Sequence, residues 1–175
     1  MNKLICTAAA LAAVAFAAPA MAQSTAQTTG TGSITVIRPL TITKNADLRF
    51  GTIVRPSTGS GTVVVSAAGA RSVTGGVVGL ASGDTPQASQ FTVDGEGGQS
   101  ISVTIPATFT MANGTDSLTV TTNNSLAGSA GAQTLSNSLG SAGSLVFRVG
   151  GTVPVASTAA TGTYTGTFTV SAAYN

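Results

Sequence analysis

Five carboxylates carry nearly all the chemistry this chain could do outside its first segment: Asp47, Asp84, Asp94, Glu96 and Asp116. The chain has no histidine, and its one cysteine, Cys6, lies at the extreme N-terminus. Thiol and imidazole nucleophile systems are therefore missing, as are the usual zinc ligands. Asp94 and Glu96 stand two residues apart in the glycine-rich stretch "VDGEGGQS". That stretch reads first as a hairpin turn with solvated carboxylates, and second as a weak calcium site. Neither "GEGG" nor "STGSGT" is a phosphate cradle, because no helix follows to aim its N-terminus at a phosphate. Phe50, Phe91, Phe109, Phe147 and Phe168 fall on separate strands, which suits core packing rather than stacking on sugars or bases. No enzyme, cofactor or metal is expected.

The elements that hold these residues are strands. The first 22 residues, "MNKLICTAAALAAVAFAAPAMA", join one lysine to a short apolar run and an Ala20-x-Ala22 site. This is the pattern of a secretory signal removed before Gln23, and Cys6 leaves with it. Residues 23–32 form a polar leader expected to be flexible, and residues 33–175 a single domain. Only 7% of the chain is charged, and removing Lys3 from seven basic residues leaves six against five acids. A nucleic-acid or anionic-membrane partner would need clustered Lys and Arg, which are absent.

Period-2 runs then follow one another: "SITVIRPLTITK", "LRFGTI", "GTVVVSAAG", "SVTGGVVGL", "QFTVDG", "SISVTIPATFTM", "SLTVTT", "SLVFRVGGTVPV" and the terminal "TGTYTGTFTVSAAYN". In "SISVTIPATFTM" the residues Ile101, Val103, Ile105, Ala107, Phe109 and Met111 are expected on one face. Residues 123–144 read as a long surface loop with one short strand near Thr134. Turn residues separate the runs, and no apolar stripe of helical period appears. The expected fold is an all-β, immunoglobulin-like sandwich of about seven to nine antiparallel strands.

The last run is the most strongly patterned. Tyr164, Gly166, Phe168, Val170, Ala172 and Tyr174 alternate with threonine, serine and alanine. A terminus ordinarily frays, so this one is expected to pair with something.

With "PLTITKNADLRFGTI", "VGGTVPV" and "GTYTGTFTVSAAYN", the chain resembles the bacterial exported domain of unknown function 4402 family. The terminal pattern also resembles that of chaperone–usher pilins and their spore-coat-U-like relatives, with Gly162 and the penultimate Tyr174 on their landmark positions. "FGT" at Phe50–Thr52 is similar to the "FG" after the first strand of the spore-coat-like relatives. The resemblance implies a non-enzymatic structural subunit of a pilus, fimbria or surface coat. It would be exported through the periplasm and found at the cell surface or outside it. Its partners would be further copies or related subunits, with a periplasmic chaperone and an outer-membrane usher in transit. The pilin pattern implies a sandwich lacking one strand, whose groove is filled first by the chaperone and then by a neighbour's N-terminal extension. Carried over, Gly162, Tyr164, Phe168, Val170, Ala172 and Tyr174 line that groove, and the terminal carboxylate of Asn175 meets a basic chaperone residue. The polar leader offers a donor only Ala26 and threonine methyls. Ile34–Ile42 reads equally as a donor and as the domain's own first strand. If that strand pairs with the last one, the domain is a self-complete surface or periplasmic module with a binding or adhesion role.

Overall fold

The computed structural model describes residues 24–127 and 131–175; the signal-like segment, including Cys6, lies outside the described residues. The chain divides into two units after Ile34. In the first, residues 24–34 carry no regular secondary structure and are exposed.

The second unit is all-β, as its periodicities require, but with more and shorter strands than the expected seven to nine. Twelve occur among the described residues: β1 Thr41–Ala46, β2 Ile53–Val54, β3 Ser60–Val65, β4 Arg71–Thr74, β5 Val78–Gly79, β6 Ser89–Glu96, β7 Ser100–Thr104, β8 Thr108–Ala112, β9 Ser117–Asn124, β10 Ala132–Thr134, β11 Ala142–Ala156 and β12 Ser171–Tyr174. All their pairings are antiparallel.

The long strand β11 organises the larger sheet. Its first half pairs with β6, Phe147 opposite Phe91, and its second half with β3, Val153 opposite Val63. Val149 faces both Ser89 and Asn124, and Gly151 faces both Val65 and Thr122. A strand has only two edges, so β6 and β3 share one edge in succession and β9 occupies the other. β1 extends the sheet beyond β6, β4 beyond β3, and β8 beyond β9. A second sheet runs β10-β7-β12, and β2 pairs with β5.

This partner change yields two adjoining cores. Phe91, Val93, Ile101, Val103, Leu135, Phe147 and Val149 form one, and Val63, Val77, Val120, Val153, Val155 and Ala159 the other. In β3, β6 and β11 the inward residues alternate with outward ones, as a half-buried sheet demands.

Four expectations are corrected. The run "SISVTIPATFTM" is not one strand: Pro106 has no N–H to continue a ladder, and β7 and β8 fall in different sheets. Ile101 and Val103 fill the first core, whereas Phe109 and Met111 pack on the second and Ala107 is exposed. "SITVIRPLTITK" is also divided, since pairing starts at Thr41 and residues 35–40 belong to no strand. "VDGEGGQS" is not a hairpin, because β6 and β7 pair with other strands in different sheets and Gly97–Gly98 form the corner between them. Nor is Glu96 a solvated turn carboxylate, since its side chain is only 4% exposed.

Candidate interaction groove

The residues of the terminal run keep the alternation their types dictate. Tyr164, Phe168, Val170, Ala172 and Tyr174 are half-buried, while Thr163, Thr165, Thr167, Thr169, Ser171 and Ala173 are exposed. Pairing is another matter. β12 pairs with β7, Tyr174 opposite Ile101, and Thr165 bridges to Ala112 at the edge of β8. Between these anchors, Gly166 to Val170 lie outside every strand and make no backbone–backbone hydrogen bond among the described residues. Among the described residues β12 pairs with no strand on its other edge, and β1 pairs only with β6. The first strand therefore does not pair with the last.

A cleft of about 280 Å³ opens beside the first part of this unpaired stretch, lined by Lys44, Asp47 and Leu48 and by Tyr164–Phe168. Phe91, Phe109 and Met111 also line it. A second cleft of about 460 Å³ shares Leu48, Met111, Tyr164 and Thr165 with it and passes over Val63, Val153 and Val155 to Gly162. The two clefts adjoin at these shared residues.

Aromatic packing ties the terminal run to the first core. Phe168 meets Phe109 at 4.9 Å and Phe91 at 6.1 Å between ring centroids, and Phe91 stacks on Phe147 at 5.6 Å. Such offset and edge contacts add to the value of the buried area itself. Val170, Ala172 and Tyr174 pack on the same core. Charges on the groove walls are neutralised in pairs, Lys44 with Asp47 and Arg49 with Asp84.

Both ends of the terminal run are fastened by side chains. At its start, Gly162 has φ +140°, a conformation that an L side chain adopts only with strain, although there is space for a Cβ. The Tyr164 hydroxyl donates between Asp116 Oδ2 (3.0 Å) and the Ala160 carbonyl (2.8 Å). Asp116 also accepts from the Ala160 and Ser117 amides, at 3.0 and 2.7 Å. The Ala160 amide, then that of Ser117 and the Tyr164 hydroxyl, hold the Asp116 carboxyl below its ordinary value. Removal from water, then the bond to Asp116, raises the Tyr164 phenol.

At the far end the Tyr174 hydroxyl donates to the Arg38 carbonyl (2.8 Å) and accepts from the Glu96 amide (2.7 Å). Glu96 accepts from the Arg38 guanidinium at 2.9 Å, from the Arg38 amide at 3.3 Å, and from the Gly140 amide. The Gly140 bond is the main cause of a lowered Glu96 carboxyl, aided by Arg38. Asn175 continues the β12 ladder to the Ser100 carbonyl (3.1 Å), and its side-chain amide donates to Ser100 Oγ (2.8 Å). Of the expected groove residues, Gly162, Tyr164 and Phe168 line these clefts, whereas Val170, Ala172 and Tyr174 pack on the first core and Asn175 lines neither cleft. Leu48 and Arg38 escaped the sequence reading, which named Asp116 and Glu96 only as carboxylates, without these partners.

A pH dependence follows. A carboxyl depressed in the folded state contributes stability that is present above its unfolded value and lost as pH falls through the folded one. The unfolded values are 3.8 for Asp116 and 4.5 for Glu96. Melting temperature is therefore expected to hold from neutrality to about pH 5 and to fall below pH 4.5. Asp116→Asn should melt several degrees below wild type at pH 7, and the gap should narrow by pH 2. A constant gap across a melting series would contradict this role for the Asp116 charge.

Among the described residues no group of three or more Asp, Glu, Cys or His could hold a metal ion, and no helix is long and apolar enough to cross a membrane. The fold is an all-antiparallel β domain, and residues 166–170 of its last run belong to no strand. The chain belongs to the family described as domain of unknown function 4402, whose model matches residues 40–174 and so starts after Arg38 and Pro39. No curated protein and no solved structure matches it.

Proposed function

We propose that the protein is a non-enzymatic structural subunit of a pilus, fimbria or surface coat. On this reading it is exported after loss of its first 22 residues, folds as an immunoglobulin-like sandwich with one strand missing, and assembles by strand pairing at its C-terminal run. One observation carries the proposal: among the described residues Gly166 to Val170 make no backbone–backbone hydrogen bond, beside a cleft in which Phe91, Phe109, Met111 and Leu48 meet Lys44, Asp47 and Ser89. Such a row of free backbone donors and acceptors is a template for another strand. Main-chain bonds would supply affinity there, and alternate side chains in the groove would supply selectivity.

Leu48 lines both clefts but belongs to neither buried core, so Leu48→Asp puts a charge in the groove without emptying a core. Purified wild-type protein, residues 23–175, is expected to sediment as oligomers or polymers. Leu48→Asp should sediment as a monomer, with assembly weakened roughly 100-fold or more. A wild type that stays monomeric and soluble at high concentration would favour a self-complete surface domain and contradict the proposal.

A further inference from the structure

We propose that Asn113 is a self-modifying position: its side-chain amide is attacked by the Gly114 backbone nitrogen, loses ammonia and becomes aspartate or isoaspartate as the protein ages. The inference stands apart from assembly and from the clefts. Asn113–Gly114 is the one Asn–Gly pair in the chain, and it occupies the turn, residues 113–116, that joins β8 to β9. Ring closure at such a pair needs a free nitrogen, room for the ring, and stabilisation of the charge that develops on Oδ1.

The turn meets all three needs. Gly114 is exposed, and a Cβ built on it would meet nothing within 4 Å, so no side chain shields its nitrogen and the ring has space. Its N–H makes no backbone–backbone hydrogen bond among the described residues. The Asn113 side-chain carbonyl, by contrast, accepts three bonds: from the Thr115 amide at 3.0 Å, the Thr115 hydroxyl at 3.0 Å and the Asp116 amide at 2.8 Å. These donors lie beyond the Gly114 peptide, so they fold the side chain across it. When the nitrogen adds to Cγ, Oδ1 takes up negative charge, and donors already aimed at it stabilise that charge without reorganisation. The Asn113 amide bond to the Asp116 carbonyl (3.1 Å) and the Ala112–Ser117 pair hold the turn closed around them.

The chemistry needs no co-reactant but water. The bond from the Gly114 nitrogen to Asn113 Cγ forms, the Cγ–Nδ2 bond breaks, and the Gly114 amide proton leaves with Nδ2 as ammonia. Water then opens the imide ring, with nothing oxidised or reduced. Cleavage at Cγ leaves aspartate, and cleavage at the main-chain carbonyl leaves isoaspartate, whose backbone runs through the side chain. The position gives this change a consequence. The same turn presents Asp116, which accepts from the Tyr164 hydroxyl at 3.0 Å, and Asn113 Nδ2 lies 3.5 Å from where a Gly162 Cβ would stand. A new carboxylate in the turn repels that of Asp116, and an isoaspartate link lengthens a tight loop. Both loosen the fastening at the start of the terminal run.

The test ages purified residues 23–175 in mildly alkaline buffer and follows ammonia release together with peptide mass spectrometry. In wild type, conversion at Asn113 should run ahead of Asn124 and Asn137, the two asparagines that precede serine. Thr115→Val keeps the Asn–Gly pair and changes only an exposed residue, yet removes one donor from Oδ1. It should convert roughly fivefold more slowly, the value of one ordinary hydrogen bond. Asn113→Asp, which carries one of the two products from the start, should show faster exchange of the Thr165 amide, which binds the Ala112 carbonyl. An intact Asn113 beside converted Asn124 or Asn137 would overturn the proposal. So would equal rates in wild type and Thr115→Val, because the turn would then contribute nothing. Unchanged Thr165 exchange in Asn113→Asp would overturn the link to the terminal run.

Discussion

Phe147→Ala is expected to lower the free energy of unfolding by about 3–5 kcal/mol, among the largest single losses in the molecule. Phe147 is 1% exposed and stacks on Phe91, which in turn touches Phe168. It sits opposite Phe91 in the register that joins β11 to β6, so truncation opens a cavity and loosens the aromatic row supporting the terminal run. Total stabilities of domains are about 5–15 kcal/mol, and the variant should be substantially unfolded near body temperature unless assembled. Urea denaturation of the monomer reads this directly. A loss below about 1 kcal/mol would mean that the core collapses around the gap and that Phe147 is not its keystone.

Gly150→Ala is expected to be comparably severe for a different reason. Gly150 lies where β11 exchanges β6 for β3 while β9 covers its other edge. A methyl there would overlap the Val65 carbonyl oxygen and come within 2.6 Å of Asn123 Oδ1 and 2.7 Å of the Ser66 carbonyl carbon. Backbone cannot swing aside as a flexible side chain does, so β3 or β9 must separate from β11. Overpacking of this kind costs about 1–3 kcal/mol or more. Pairing should be damaged on both sides of β11, visible as faster amide exchange in β3 and β9 than in wild type. Unchanged exchange and stability would contradict the close approach of these strands.

How much of this was legible in the sequence depended on the range of the interaction. Period-2 burial was, because it is written in consecutive side chains: the faces of "SLVFRVGGTVPV" and of Tyr164–Tyr174 emerged as their residue types dictate. Which strand lies beside which was not, because registers join residues far apart in the chain. The terminal run thus reads as one continuous strand, yet only its ends find partners. Likewise β2, β5 and β10 are two or three residues long, too short to display a period. Pro106 and Pro39 marked true boundaries, although alternation continues across both. Of the terminal residues that the pilin resemblance puts along a groove, Gly162, Tyr164 and Phe168 line the clefts. Leu48 could not be named, since nothing local distinguishes it from any other apolar strand residue. Glu96 was misread for the same reason: its partner Arg38 is 58 residues away, and only the fold brings them together.

Amide hydrogen exchange at Gly166 to Val170, compared between monomeric and assembled wild-type protein, tests most directly whether this run is an open edge that another strand fills. In the monomer these amides should exchange far faster than those of β6 and β7, because no backbone acceptor holds them. In the assembly, those facing the groove should become strongly protected while Thr163 and Gly162 change little. Protection already complete in the monomer, or no gain on assembly, would contradict the open edge and the assembly built on it.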